Sequence, residues 1–176
     1  LGYNSVHAMV GRSPPLPQPV PRVRPRAGCP RIPFPMPELP EVETTCRGIR
    51  PHVQGRSLSR LVVRNPRLRV AVPADLPAHI EGARLEAVDR RAKYLLLRFP
   101  AGTVIVHLGM SGSLRVVAAV EPAGAHDHVD FVFGECALRL RDPRSFGMVV
   151  WQPGDVAAHP LLAGLDPAVG RETLRL

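Results

Sequence analysis

A change of hydrophobic period at Gly55 constrains the fold of this chain more than any other feature. Before it, Val42, Cys46, Ile49 and Val53 recur at i, i+4, i+7 and i+11, the spacing of one buried helix face. Glu43 and Arg47 stand four apart and can pair, and Gly55 supplies a stop, so a helix is predicted from Pro40 to Val53. After Gly55 the apolar residues fall in short, turn-bounded runs. Ser57 to Val63 and Arg67 to Val72 read as strands. Tyr94 to Phe99 and Thr103 to Leu108 flank the hairpin signal Pro100-Ala101-Gly102. Leu114 to Val120 is β-branched, and Val129 to Phe133 and Ala137 to Leu140 flank Gly134-Glu135. Met148 to Trp151 closes the series. Strands at this spacing predict a mainly β fold, an antiparallel sandwich or barrel with one flanking helix. Residues 152–176 are rich in Pro, Gly and Ala and suggest no clear element.

The chain has 176 residues and 45% hydrophobic content, enough for one domain with a core. Its formal charge of +8 points to a polyanion partner, but the charge is unevenly spread. Residues 1–35 carry five of the 23 basic residues and none of the 15 acidic ones, so they hold +5 and the remainder +3. The same stretch holds nine of the 21 prolines. It has no periodic apolar pattern and is expected to be a disordered Pro/Arg-rich extension. Among all the basic residues only Lys93 is lysine. An ammonium can give up a proton where a guanidinium in practice cannot. Cys29, Cys46 and Cys136 are far apart and form no Cys-x-x-Cys, so no zinc site is readable and a reducing cytosol is expected. No apolar run is long enough for a membrane span, and residues 1–35 lack the apolar core of a secretory signal.

Residues 36–43 read Met-Pro-Glu-Leu-Pro-Glu-Val-Glu. If translation starts at Met36 and the methionine is removed, Pro37 becomes a terminal secondary amine. Terminal amines titrate near neutrality, so Pro37 can act as a neutral nucleophile toward a sugar carbon and form an iminium. Glu38 beside it is the candidate general acid/base. The plain reading is a helix start, with proline and carboxylates in the first turn. Both readings hold together, because Pro40, Glu41 and Glu43 make the helix start while Pro37 and Glu38 precede it. In the chain as written the Pro37 nitrogen lies in a peptide bond with Met36.

The octet resembles the start of the formamidopyrimidine-DNA glycosylase family, which removes oxidised purines from DNA. Further stretches fit that family in the same order: Arg90-Arg91-Ala92-Lys93-Tyr94-Leu95-Leu96-Leu97, His107-Leu108-Gly109-Met110-Ser111-Gly112-Ser113-Leu114-Arg115, His126-Asp127-His128-Val129-Asp130 and Asp142-Pro143-Arg144-Ser145-Phe146-Gly147. The resemblance implies two antiparallel sheets with the N-terminal helix packed alongside. It implies Pro37, Glu38 and Lys93 as catalytic residues, with Lys93 close to the scissile phosphate. It implies His126 as a phosphate contact, and Met110, Arg144 and Phe146 as a wedge that fills the gap left by a flipped nucleotide. An enzyme acting on a stacked base must extrude it, and apolar or planar side chains replace the lost stacking. His126 and His128 stand at i, i+2 without further ligands, so a metal reading is weak, and His128 is expected to be structural. Ser145 departs from the second arginine that many family members carry, which removes one phosphate contact.

The resemblance covers residues 36 to about 165, leaving 166–176 as a truncated linker. The family's helix–two-turn–helix module and zinc finger are not in this sequence, so no cofactor is expected in the chain. Expected partners are double-stranded DNA with oxidised bases or abasic sites, bound by a monomer in the bacterial cytoplasm. Two rival readings stay open: a non-catalytic DNA-binding remnant, and an endonuclease VIII-type enzyme for oxidised pyrimidines.

Overall fold

The computed structural model describes residues 39–163 and residue 165. The expected extension 1–35, the linker 166–176, and the candidate residues Pro37 and Glu38 lie outside the described residues.

Helix α1 spans Leu39–Val53. Its stripe of Val42, Cys46, Ile49 and Val53 is buried, as the helical period requires. Gly55 follows with φ +82°, a conformation that strongly favours glycine. Glu43 pairs with Arg47 within the helix at 2.7 Å and with Arg90 across to the neighbouring sheet at 2.6 Å. The Arg90 hydrogen bond is the main cause of a Glu43 carboxyl held below its ordinary range, against the opposing effect of burial.

The rest is a sandwich of two four-stranded antiparallel sheets. One runs β1 (Arg60–Val63), β6 (Asp127–Phe133), β7 (Cys136–Arg141), β5 (Ser113–Ala118). The other runs β2 (Ala87–Arg91), β3 (Tyr94–Phe99), β4 (Gly102–His107), β8 (Met148–Pro153). Alternate residues of each sheet, such as Leu95, Leu97 and Phe99 against Phe131, Leu138 and Leu140, join the helix stripe in one core. The mainly β class and the two-sheet architecture are as expected. No described helix is long and apolar enough to cross a membrane.

Three readings of the sequence are corrected. The run Arg67 to Val72 is a loop, not a strand. Leu68 and Val72 are buried while Arg67, Arg69 and Val70 are exposed, so its alternation supplies anchors for a loop rather than a sheet face. The loop is closed by Val72 N–H to the Pro66 carbonyl at 3.0 Å. Second, helix α2 (Leu76–Ile80) and edge strand β2 carried no clear signal. The helix is too short for a period to show, and β2 buries only Val88 among polar neighbours. Third, the described residues after 152 do form structure: a 3-10 turn, Val156–Ala158, and helix α3, Pro160–Ala163. Val156 and Leu162 pack on Tyr94, Leu96, Ile105 and Met148, the outer face of the second sheet. That covering explains why β3 and β4 are apolar on both faces rather than alternating.

Candidate nucleic-acid interface

Strand register brings the candidate residues to one end of the sandwich. In the second sheet Tyr94 pairs with His107, and His107 with Met148. The start of β3, the end of β4 and the start of β8 therefore lie side by side. In the first sheet Arg141 at the end of β7 pairs with Ser113 at the start of β5 and with Asp127 at the start of β6. The connections that carry Met110 (between β4 and β5) and Arg144 with Phe146 (between β7 and β8) both cross between the sheets at this end. His126 arrives there immediately before β6.

Lys93 sits on the two-residue turn between β2 and β3, not within a strand. Ala92, the first turn residue, has φ +49°, where glycine is favoured. Arg90 steadies the turn by donating to the Ala92 carbonyl at 2.9 Å while also holding Glu43 of α1. The turn bearing Lys93 is thus tied to the early turns of α1. The Lys93 ammonium is exposed and lies 5.9 Å from the Tyr94 ring centroid.

Lys93, Met110 and Phe146 line a single cleft of about 590 Å³ together with Arg69, His107 and Gly109. Met110 is 72% exposed and Phe146 50%, so neither belongs to the core. Gly109 has φ +66°, and a Cβ there would stand 2.9 Å from the Phe146 carbonyl carbon, so glycine permits the two loops to touch. Gly147 is equally confined, with a virtual Cβ 2.9 Å from both the Asp142 carboxylate and the His107 carbonyl oxygen. Ser145, between Arg144 and Phe146, has φ +55°. Among the described residues no acidic side chain pairs with Lys93, Arg69 or Arg144.

His107 faces this cleft. Burial first, then the charges of Lys93 and Arg69, push its pKa below the ordinary histidine value of 6.5. The Gly109 N–H donates to Nδ1 at 3.1 Å, which places the proton of the neutral ring on Nε2. The native state resists protonation here, so this group's contribution to stability is complete above about pH 6.5 and is lost as pH falls through the depressed native value. Proton NMR is expected to show His107 titrating below about 6.5, and moving upward when a polyanion fills the cleft. A free-protein value at or above the ordinary one would contradict this geometry.

Arg144 and His126 are exposed but do not line the cleft. His128 is buried and donates from Nε2 to the Asp142 carbonyl at 2.7 Å, the structural position expected for it. Among the described residues no cluster of three or more His, Cys, Asp or Glu side chains could hold a metal ion. Arg69 and His107 were not singled out from the sequence. His107 stood within a motif whose methionine drew the attention. Arg69 was hidden by the strand-like alternation around it, although the exposed-arginine pattern Arg64, Arg67, Arg69 was visible.

The family model described as the formamidopyrimidine-DNA glycosylase N-terminal domain matches residues 36–149. The chain belongs to this family. It is 70% identical over 139 residues to the formamidopyrimidine-DNA glycosylase of Aromatoleum aromaticum, covering 79% of this chain and 50% of that protein. It is 61% identical over 133 residues to that of Bordetella avium, covering 74% and 48%. The chain thus spans about half the length of the curated relatives it matches. Among solved structures, it resembles the Lactococcus lactis enzyme bound non-covalently to DNA containing an abasic site. That match has a TM-score of 0.62 and 28% identity over 66% of this chain and 45% of the other. The same enzyme bound to DNA containing a formamidopyrimidine deoxyguanosine lesion matches with a TM-score of 0.63 and 29% identity, over 67% and 45%.

Proposed function

We propose that this chain is the catalytic half of a DNA glycosylase with abasic-site lyase activity, acting on oxidised purines in duplex DNA. The observation that carries the reading is the cleft itself. A lysine with no acidic partner among the described residues and two exposed apolar side chains from separate loops converge on it, at the end of the sandwich where α1 is tied to the Lys93 turn. A hydrophobic core has no use for Met110 and Phe146 in these positions, whereas extruding a base requires a filler for the vacated stack.

On this reading the free amine of a matured Pro37 attacks C1′ of the damaged nucleotide, and the bond from C1′ to the base breaks. The leaving base takes a proton, and Glu38 is the proton carrier. The amine then gives up its proton and the C1′–O4′ bond breaks, with O4′ taking a proton, which opens the sugar ring and leaves an iminium at C1′. This acidifies the neighbouring C2′ proton, whose removal expels the 3′ phosphate in β-elimination. δ-Elimination of the 5′ phosphate follows in the family. Lys93 stands by the scissile phosphate, with Arg69 and His107 offering further donors at the cleft. Arg144 and His126 contact the flanking strand. The protein works as a monomer on the DNA of the bacterial cytoplasm.

The wedge provides the test. The chain is expected to prefer a duplex with one abasic site over an intact duplex, and Met110→Ala and Phe146→Ala to narrow that preference. The same changes are expected to leave thermal stability nearly untouched, whereas Phe131→Ala, fully buried, costs about 3–5 kcal/mol. A chain with no preference for the abasic duplex, or wedge variants as destabilising as Phe131→Ala, would falsify the reading.

A further inference from the structure

Asp142 is 0% exposed, and its polar atoms link the three segments that make this face. Its Oδ1 accepts from Ser111 Oγ of the Met110 loop at 3.2 Å and from the Arg144 N–H at 3.3 Å. Its Oδ2 accepts from the Gly147 N–H at 2.6 Å. Its own N–H donates to the His126 carbonyl at 2.9 Å. Its carbonyl accepts from His128 Nε2 at 2.7 Å and from the Ser145 N–H at 3.2 Å.

We infer that Asp142 is a positioning residue that locks the Met110 and Phe146 loops into one rigid unit. The inference rests on the DNA-wedge reading above and adds the device that makes the wedge work. Met110 and Phe146 come from loops far apart in sequence. Both side chains stand out in solvent, where packing does little to fix them. Without a tie each loop would fluctuate independently, and a base gap filled by one side chain at a time would lose most of its stacking. The Ser111–Asp142 hydrogen bond is the one side-chain bridge between the two loops among the described residues. The donors it gathers are backbone N–H groups and a hydroxyl, which the two acceptor oxygens of its side chain match.

Two variants separate the tie from the fold. Ser111→Ala cuts only the bridge, and Asp142→Ala removes every side-chain acceptor. Asp142→Asn keeps an acceptor for the Gly147 N–H and gains an amide that can donate to Ser111 Oγ, losing only the long Arg144 N–H bond, so it is the rescue variant. The measurement is NMR on the free 176-residue chain, with the order of the Met110 methyl and hydrogen exchange at the Gly147 amide as readouts. Ser111→Ala is expected to loosen Met110 while leaving Gly147 exchange unchanged. Asp142→Ala is expected to loosen both, with Gly147 exchange about tenfold faster or more. Asp142→Asn is expected to restore most of the order. In parallel, the preference for abasic over intact duplex is expected to fall in Ser111→Ala and Asp142→Ala and to be largely kept in Asp142→Asn. Unchanged Met110 order in Ser111→Ala sinks the clamp, even if Asp142→Ala fails to fold. A wild-type chain indifferent to abasic DNA sinks the glycosylase reading instead, while the free-chain measurement still decides the clamp.

Discussion

A form of the chain that begins at Pro37 is expected to be captured on abasic-site DNA by borohydride, and a form that keeps residues 1–36 is not. The contrast is all-or-none because of the nitrogen's chemistry. A terminal secondary amine is mostly or partly neutral near pH 8 and can add to the C1′ aldehyde of an abasic sugar, losing water to form an iminium that borohydride reduces to a stable amine. An amide nitrogen has its lone pair delocalised into the carbonyl and does not attack. The measurement is a shifted protein–DNA band on a denaturing gel. Equal capture by both forms would mean another amine does the chemistry, and Lys93 would be the next to test. Capture by neither would place the reaction outside this half of the family's length.

A large effect on stability is also expected at the buried ion cluster that holds the return segment in front of β6. Arg139, 1% exposed, donates to both oxygens of Asp130 at 2.9 Å and to the carbonyls of Glu121 and Pro122. Arg64 completes the Asp130 site at 2.7 Å. Burial by itself pushes the Asp130 carboxyl up, but the hydrogen bonds from Arg139 and Arg64 outweigh it and hold the pKa below its ordinary value. The sign follows: a depressed carboxylate stabilises the fold in full above about pH 4, and that contribution is lost as pH falls through the native value. Asp130→Ala takes from the buried Arg139 guanidinium its two closest carboxylate bonds, leaving only Asp127 at 3.7 Å, and is expected to cost about 3–5 kcal/mol at neutral pH. Adding Arg139→Met is expected to recover part of that loss, because the stranded charge is gone. Chemical denaturation at pH 7 and pH 3 reads both effects. A loss below about 1 kcal/mol, the range of exposed pairs, would show that water reaches the site. His126 is one of the face residues that depends on this cluster, since the segment Arg139 grips leads directly into it.

Much of the fold was legible because it is governed by local periodicity. The α1 stripe, both hairpins and the strands β3 to β8 follow from spacing and turn residues, and the structure differs from them by a residue or two at the ends. What escaped was of a different kind. Arg67 to Val72 alternates like a strand, yet prolines stand at both ends and only two apolar anchors are buried. Alternation reports which side chains point inward, not whether the backbone finds a neighbour to pair with. Strand β2 forms because β3 offers it an edge, so its own polar sequence did not announce it. The site was legible to the extent that motifs carried it. Lys93, Met110 and Phe146 were named from the resemblance, while Arg69 and His107 entered only because the cleft brings them to the same place.

The sequence alone determined the family, the helix-then-strands order and the motifs that carry the family resemblance. These depend on identity and short-range spacing, which the chain displays directly. Tertiary structure alone decided that loops from opposite sheets meet at one end, through the pairing of His107 with Tyr94 and Met148 and of Arg141 with Ser113 and Asp127. It also decided the surroundings of Asp142. In sequence this residue is a turn former before a proline. In the fold it is a buried carboxylate whose partners run from Ser111 to Gly147. Hydrogen bonds between distant segments leave no periodic trace, because what selects them is the geometry of the packed sheets rather than the residues next door.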